Sequence, residues 1–418
     1  MQKTLSQWLA HLETAHSNGL IDMGLTRITQ VKNAMQLAPT CPIIIVGGTN
    51  GKGSTCAFLS HIYRAAGYTV GTLTSPHLLR FNERIALNCQ AVDDAKIVAA
   101  FERIEAARGN ISLTYFEFNT LAAVDIFQQE QVDVMILEVG LGGRLDAVNI
   151  FDADCTLITS VDLDHQNFLG DTIEQVGYEK AGIFRAHTPA ICGQNPPPQT
   201  MINYAAEIGA DLHIVQHDFT YQIHENTWDF SGSLKIPSLP HPALHGAYQF
   251  NNAACALQAI GSLKTHLPVS SNAIAQGLQS ARNIGRFQIV QQNPMVILDV
   301  GHNPHAARAL SDNFKNLPTP IKRIAVFSIL ADKDIDGVLG SLKNDFDDWY
   351  IAPLDMPRGM NSTDLLAKMQ QNNISSIKIF QNIQAAYQAA LSDAQEHDRI
   401  TIFGSFHTVS AIAQMLIA

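Results

Sequence analysis

Five short apolar runs punctuate the first half of the chain: CPIIIVGG (41–48), YTVGTLTS (68–75), VDVMILEVG (132–140), CTLITSVD (155–162) and TPAICG (188–193). They are rich in β-branched residues and nearly continuous in hydrophobicity, as strands covered on both faces read. Longer stretches with helical spacing, such as 53–66 and 117–130, lie between them. The alternation predicts an α/β fold around a mostly parallel sheet. A short amphipathic helix is expected within 1–19, an extended loop at the Pro-Pro-Pro of 196–198, a small hairpin or sheet excursion over 227–246, and a helix over 248–261. A second alternation follows, with strand-like runs at 294–301, 321–330, 347–354, 376–381 and 399–405. The expected organisation is an α/β domain over 1–285, a linker over 286–293 and a smaller α/β domain over 294–418.

Composition narrows the function classes. The chain has 418 residues and a formal net charge of −11, with acidic residues spread along it. Nucleic acid as main partner would favour a basic stripe, and none is visible. No run approaches the roughly 18 apolar residues of a membrane span, and the first residues lack the apolar core of a signal peptide. The six cysteines, at 41, 56, 89, 155, 192 and 255, form no C-x-x-C pair. They read as buried free thiols in a reducing compartment. The expectation is a cytoplasmic protein, and a monomer because no coiled-coil seam is visible.

The first candidate chemistry is at 46–58, VGGTNGKGSTCAF. Glycines 47, 48, 51 and 53 allow backbone conformations that turn N–H groups toward one anion. The helix expected to begin near Gly53 adds its positive dipole end. The candidate nucleotide cradle is Thr49, Asn50, Gly51, Lys52, Gly53, Ser54 and Thr55. Lys52 can reach the β- and γ-phosphates, and Ser54 or Thr55 can face a magnesium ion. The usual G-x-x-x-x-G-K-[ST] spacing is not met: Val46 occupies the first glycine position, and Gly53 separates Lys52 from Ser54. Glu138, Ser75 and His165 each end or follow a predicted strand, so all three can converge on the same sheet edge as the loop. Taken from the residues alone, Ser75 is equally a turn cap before proline, His165 a structural histidine, and Lys180 a surface lysine paired with Glu174 or Glu179.

The motifs GTNGKGST, TSPHLLRFNERI (74–85), EVGLGGRLDAVN (138–149), LDHQNFLG (163–170), EKAGIFR (179–185), GRFQI (285–289), DVGHNPHA (299–306) and GSFHTV (404–409) occur in one order along the chain. That ordered set resembles the folylpolyglutamate synthase family of the Mur-ligase superfamily. IDMGLTR (21–27) and ISLTYFEF (111–118) resemble its bifunctional bacterial branch. The resemblance implies a P-loop ATPase-like first domain and a Rossmann-like second domain. It implies ATP-dependent addition of L-glutamate to 7,8-dihydropteroate and then to reduced folates, through an acyl phosphate. A folylpolyglutamate synthase alone, a Mur-type peptidoglycan ligase and a nucleotide-dependent switch module are the alternatives.

The resemblance also implies roles. Mg2+, with Mn2+ able to substitute, would occupy two sites served by Ser54, Ser75, Glu138, His165 and Lys180, the last as a CO2-derived carbamate. Lys52, Lys180 and His302 would be catalytic. Asn252, Arg286 and Asp299 would complete the ATP site. Ile21, Asp22, Met23, Thr114, Tyr115, Phe116, Glu117, Leu145, Asp146 and Ala147 would bind the pterin substrate. His302 and Ser405 would receive glutamate.

Overall fold

The protein is described here by a computed structural model covering residues 3–15, 22–356 and 358–417. Its chain contacts divide into two units: Met1–Ala243 with Phe250–Arg282, and Leu244–Gln249 with Asn283–Ala418.

The first unit is built on an eight-stranded sheet of β1 (Ile43–Gly47), β2 (Val70–Leu73), β3 (Ile85–Leu87), β4 (Gln90–Ala91), β5 (Val134–Glu138), β6 (Cys155–Ile158), β7 (Pro189–Cys192) and β8 (Asp211–Ile214). Their order is β4-β3-β2-β5-β1-β6-β7-β8. Six strands run parallel, while β3 and β4 join antiparallel at one edge. β1 therefore lies between β5 and β6, and the chain leaves it in a crossover, which makes its carboxyl end a topological switch point. The register places Val46 opposite Glu138 and Gly47 opposite Ile158.

The five runs read as doubly covered strands are β1, β2, β5, β6 and β7, and all but a few of their residues are buried. The helix expected over 117–130 spans Tyr115–Gln129. Thr114 caps it, accepting from the Glu117 amide while the Glu117 carboxylate accepts from the Thr114 amide, a reciprocal arrangement that satisfies two otherwise orphan donors. The excursion near 227–246 is a three-stranded antiparallel sheet of β9 (Thr220–Ile223), β10 (Thr227–Ser231) and β11 (Lys235–Pro240).

The second unit has a six-stranded sheet of β12 (Gln288–Gln292), β13 (Met295–Asp299), β14 (Arg323–Phe327), β15 (Asp348–Ile351), β16 (Ile377–Ile379) and β17 (Arg399–Phe403), ordered β12-β13-β17-β14-β15-β16. All pairs are parallel except β12 with β13. The stretch expected to be linker is thus largely strand, and β13 is the unit's second strand rather than its first. β12 is an edge strand, half-buried along most of its length. Its glutamines interrupt the apolar run, so it lacks the two-sided signature.

Two helices of the first unit, Lys52–Ala65 and Ser271–Ser280, approach closely at Gly277. A Cβ there would lie 2.4 Å from Ile62 Cα. Relief requires the helices to part, because the obstructing atom is backbone. Gly277→Ala should therefore cost about 1–3 kcal/mol, as overpacked cores do, despite alanine's better helix propensity. Chemical denaturation checks this, and a stability gain would contradict it.

Candidate active site

The loop after β1 is shaped by two absent side chains. Gly48 and Gly51 have φ of 136° and 89°. A Cβ at Gly48 would lie 2.0 Å from Thr159 Oγ1, and one at Gly51 would lie 2.5 Å from Asn252 Oδ1. The residues after β6 hold this loop. The Thr49 amide donates to the Ser160 carbonyl at 2.8 Å, and the Asn50 amide to Ser160 Oγ at 3.0 Å. The Thr159 and Ser160 hydroxyls both donate to the Asn50 carbonyl. Thr49 Oγ1 donates to the Asp162 carbonyl and accepts from the Asp162 amide. Lys52 opens the helix Lys52–Ala65, and its Nζ donates to the carbonyls of Gly48 and Thr49 at 2.9 and 3.2 Å. A lysine so placed beside a helix amino terminus makes a seat for an anion. Ser54 and Thr55 are buried behind it, and Thr55 Oγ1 meets no partner.

Glu138 ends β5 one strand away. It is 2% exposed, and its Oε2 accepts from the Ser75 amide at 3.1 Å. Lys180 is only 3% exposed. Neither glutamate considered as its surface partner serves it: Glu174 accepts from the Gln199 and Thr200 amides, and Glu179 pairs with Arg144. Burial lowers the Lys180 pKa to about 7, assisted by the charge of Lys52 and opposed by Asp164 and Asp146. Lys52, Lys180, Asp146 and Asp164 therefore share one electrostatic neighbourhood. His165 lies at its border, left-handed with φ 51° and exposed, its amide on Asp164 Oδ1 at 2.9 Å.

The segments expected to meet the pterin also converge. Arg27 pairs with Asp22 at 2.9 Å and with Glu117 at 3.2 Å. A Cβ on Gly142 would lie 3.9 Å from Met23 Cε, and one on Gly140 would lie 2.7 Å from Phe116 Cζ. Tyr115 is half-buried, edge-on to Phe81. Asp146 folds the 140–148 loop by accepting from the amides of Leu141 and Val148, and burial raises its pKa to about 6. Leu145 is half-buried and Ala147 buried in the same turn. Ile21 lies outside the described residues.

In the second unit, Asp299 ends β13 and accepts from the amides of Phe287 and Gly301 at 2.9 and 2.7 Å. Burial raises its pKa against the charge of Arg286, whose guanidinium lies 5.4 Å from the Phe406 ring. His302 Nδ1 contacts the Val300 carbonyl at 2.9 Å, so that nitrogen carries the proton and Nε2 faces elsewhere. Ser405 follows β17 and accepts from the Thr408 amide. These four belong to the second unit, whereas Asn252 reaches the loop of the first.

Sequence reading passed over Thr159, Ser160 and Arg27. Hydroxyls directly after a strand, as in ITSVD, were the available signal for the first two. Among the described residues no group of three or more His, Cys, Asp or Glu is arranged to hold a metal. No helix among the described residues is long and apolar enough to cross a membrane.

Residues 46–260 match the Mur ligase middle domain, and 285–406 the Mur ligase glutamate ligase domain. The chain is 44% identical over 419 residues to the dihydrofolate synthase/folylpolyglutamate synthase of Escherichia coli K12, covering 99% of this chain and 95% of that one. The chain belongs to this family of Mur ligases. The Haemophilus influenzae enzyme of the same name is 38% identical, covering 97% of this chain and 96% of that one. E. coli FolC in complex with DHPP and ADP superimposes with a TM-score of 0.94 at 45% identity, covering 99% and 98% of the two chains. A bifunctional folylpolyglutamate synthase/dihydrofolate synthase with Mn, AMPPNP and L-glutamate bound gives 0.92 at 42% identity, covering 100% and 98%.

Lys180 makes a stability test. The unfolded amine titrates near 10.5 and the folded one near 7. Between these values the unfolded chain holds the extra proton, so folding stability rises with pH across that window and the burial penalty is complete below it. In CO2-free buffer at pH 6, Lys180→Met should stabilise the fold by about 2 kcal/mol or more, and it should flatten the rise between pH 7 and 10. Denaturant titrations at several pH values check both. A destabilised variant would show that the amine is favourably paired.

Proposed function

We propose that this chain is an ATP-dependent ligase that joins L-glutamate to 7,8-dihydropteroate and then adds glutamates to reduced folates, releasing ADP and phosphate. The observation that carries this reading is one sheet edge holding the anchored glycine loop with Lys52, the buried Glu138 and the desolvated Lys180 amine. The two Mur ligase domain matches and the complexes of the relatives, with their nucleotide, metal, DHPP and glutamate ligands, support it.

A carboxylate does not acylate an amine at neutral pH, because its leaving group is an oxide. Transfer of the ATP γ-phosphoryl group makes that oxygen part of a phosphate. The glutamate amine then attacks the carbonyl, and the tetrahedral intermediate collapses to an amide. The demand on the protein is to align the reactants and to offset charge. Residues 49–55 and Asn252 hold the polyphosphate in this reading, and Lys52 offsets its charge. By resemblance, Arg286 and Asp299 serve the nucleotide, and His302 and Ser405 receive glutamate. Asp22, Met23, the 114–117 segment and the 145–147 turn bind the pterin. Ile21 joins them by resemblance.

The residues fit a hard cation. Glu138, Ser75 and Ser54 offer oxygen, His165 borders them, and the unpartnered Thr55 hydroxyl lies buried nearby; Mg2+ prefers oxygen and retains waters. When bound, Mg2+ or Mn2+ would supply neutralisation of the transferring phosphoryl group. Lys180 joins that set as a carbamate: its neutral amine attacks CO2, the N–C bond forms, and the amine proton leaves to solvent. A pKa near 7 makes the neutral amine abundant. We further propose a cytoplasmic monomer.

The test supplies ATP, Mg2+ and labelled glutamate with either dihydropteroate or a reduced folate. Each acid should give amide product with one ADP per bond, and ADP release without amide formation would overturn the reading. Lys180→Ala should lose at least about a hundredfold of kcat, partly restored by small carboxylates. With 13CO2 the wild-type chain alone should show a carbamate resonance. Undiminished activity of the variant would remove the lysine from the mechanism.

A further inference from the structure

Near Ser75, at the amino end of β3, Arg84 presents a cation with no carboxylate partner. Its Nε donates to His77 Nδ1 at 2.7 Å. Its guanidinium carbon lies 5.6 Å from the Tyr115 ring centroid and 5.8 Å from that of Phe81. Neither Nη atom meets an acceptor among the described residues, and the residue is half-buried. Glu83 is the adjacent anion, but its carboxylate accepts from the amides of Leu78, Leu79 and Arg80 at 2.7–2.8 Å. Glu138 contributes only long-range attraction. The guanidinium is thus fixed on three sides by His77, Phe81 and Tyr115, with its two-nitrogen edge open.

That edge matches a carboxylate, which a guanidinium takes through two parallel N–H···O bonds. Tyr115 belongs to the segment assigned above to the pterin substrate, so the receptor borders the acid-substrate site. Dihydropteroate carries one carboxylate, the one that reacts. A folate monoglutamate carries two, and only the γ-carboxylate reacts. Bidentate pairing occupies both oxygens and draws off their electron density, which opposes attack on phosphorus. The carboxylate best held this way is the one that does not react.

We propose that Arg84 is a specificity-determining residue that binds the α-carboxylate of the folate glutamyl tail, so that it supports folate elongation and not dihydropteroate glutamylation. Phe81 and Tyr115 set the plane of the guanidinium, and His77 fixes its rotation by taking Nε. The proposal rests on the ligase reading above. Wild-type turnover of both acids is the control that separates its failure from that reading's failure.

The experiment measures kcat and KM of wild type, Arg84→Met and Arg84→Lys with dihydropteroate and with a reduced folate monoglutamate. In Arg84→Met the ratio of kcat/KM for the folate to that for dihydropteroate should fall at least tenfold, chiefly through the folate KM. Arg84→Lys keeps the charge without the fork and should fall between. A folate bearing an α-carboxamide should bind wild type weakly and be indifferent to the substitution. A misfolded variant would lose both acids together. Dihydropteroate turnover and the thermal transition report folding, and if Arg84→Met fails them the comparison is made with Arg84→Lys. An unchanged ratio in a folded variant, or equal loss of both activities, would overturn the assignment.

Discussion

Two hydroxyls of one strand end, Thr159 and Ser160, grip the carbonyl of Asn50 in the loop of its neighbour, and the geometry of the site descends from that grip. A glycine-rich loop is entropically costly to order, and its amides point usefully only when its carbonyls are held elsewhere. Holding the Asn50 carbonyl at the end of β6 fixes the backbone immediately before the helix that begins at Lys52. Contact is so close at Gly48 that a single Cβ would occupy the space of Thr159 Oγ1. The parallel order β5-β1-β6 makes this possible, because it sets the ends of three strands at one level, with the loop on the middle strand.

The same level carries the site's largest unfavourable term. Lys180 is buried where its charge is poorly solvated, and the glutamates one and six residues before it are held by Arg144 and by the amides of Gln199 and Thr200. An exposed lysine with a pKa near 10.5 is neutral about once in several thousand molecules at pH 7, whereas one near 7 is neutral about half the time. Burial therefore supplies the amine chemistry that the sequence motif alone cannot. The surrounding core, which continues through Val176, Ala181, Ile183 and Phe184, carries the cost of that desolvation.

What the sequence made legible follows from how strongly each feature is written in hydrophobicity. Strands buried on both faces, such as β1 and β5, are continuous apolar runs and were readable. β12 is half-exposed and glutamine-rich, so it passed as linker, and the short strands β3, β4 and β8 carry no comparable run. The glycine loop was readable because its residues are contiguous in sequence, whereas the burial of Lys180 was not, since the residues alone read it as a surface lysine beside Glu174 or Glu179. The anchoring by Thr159 and Ser160 was not, since hydroxyls near strand ends are common and the contact spans about a hundred residues. Glu117 shows a further limit: sequence cannot tell a ligand's acceptor from a helix cap, and here its carboxylate caps the helix and pairs with Arg27.

An acidic chain must still attract anionic substrates, and the first unit does so by the placement of its carboxylates. Glu83 is committed to three amides, Asp146 to the amides of Leu141 and Val148, and Glu117 to an amide and to Arg27. Hydrogen bonds from backbone amides stabilise these charges and reduce their pull on nearby cations. Arg84 rests on an imidazole, a neutral partner. A cation held by neutral groups keeps more of its field than one held in an ion pair. Arg84 can therefore present local positive charge although the net charge is −11. The local arrangement of charge, and not its sum, governs which ligands approach it.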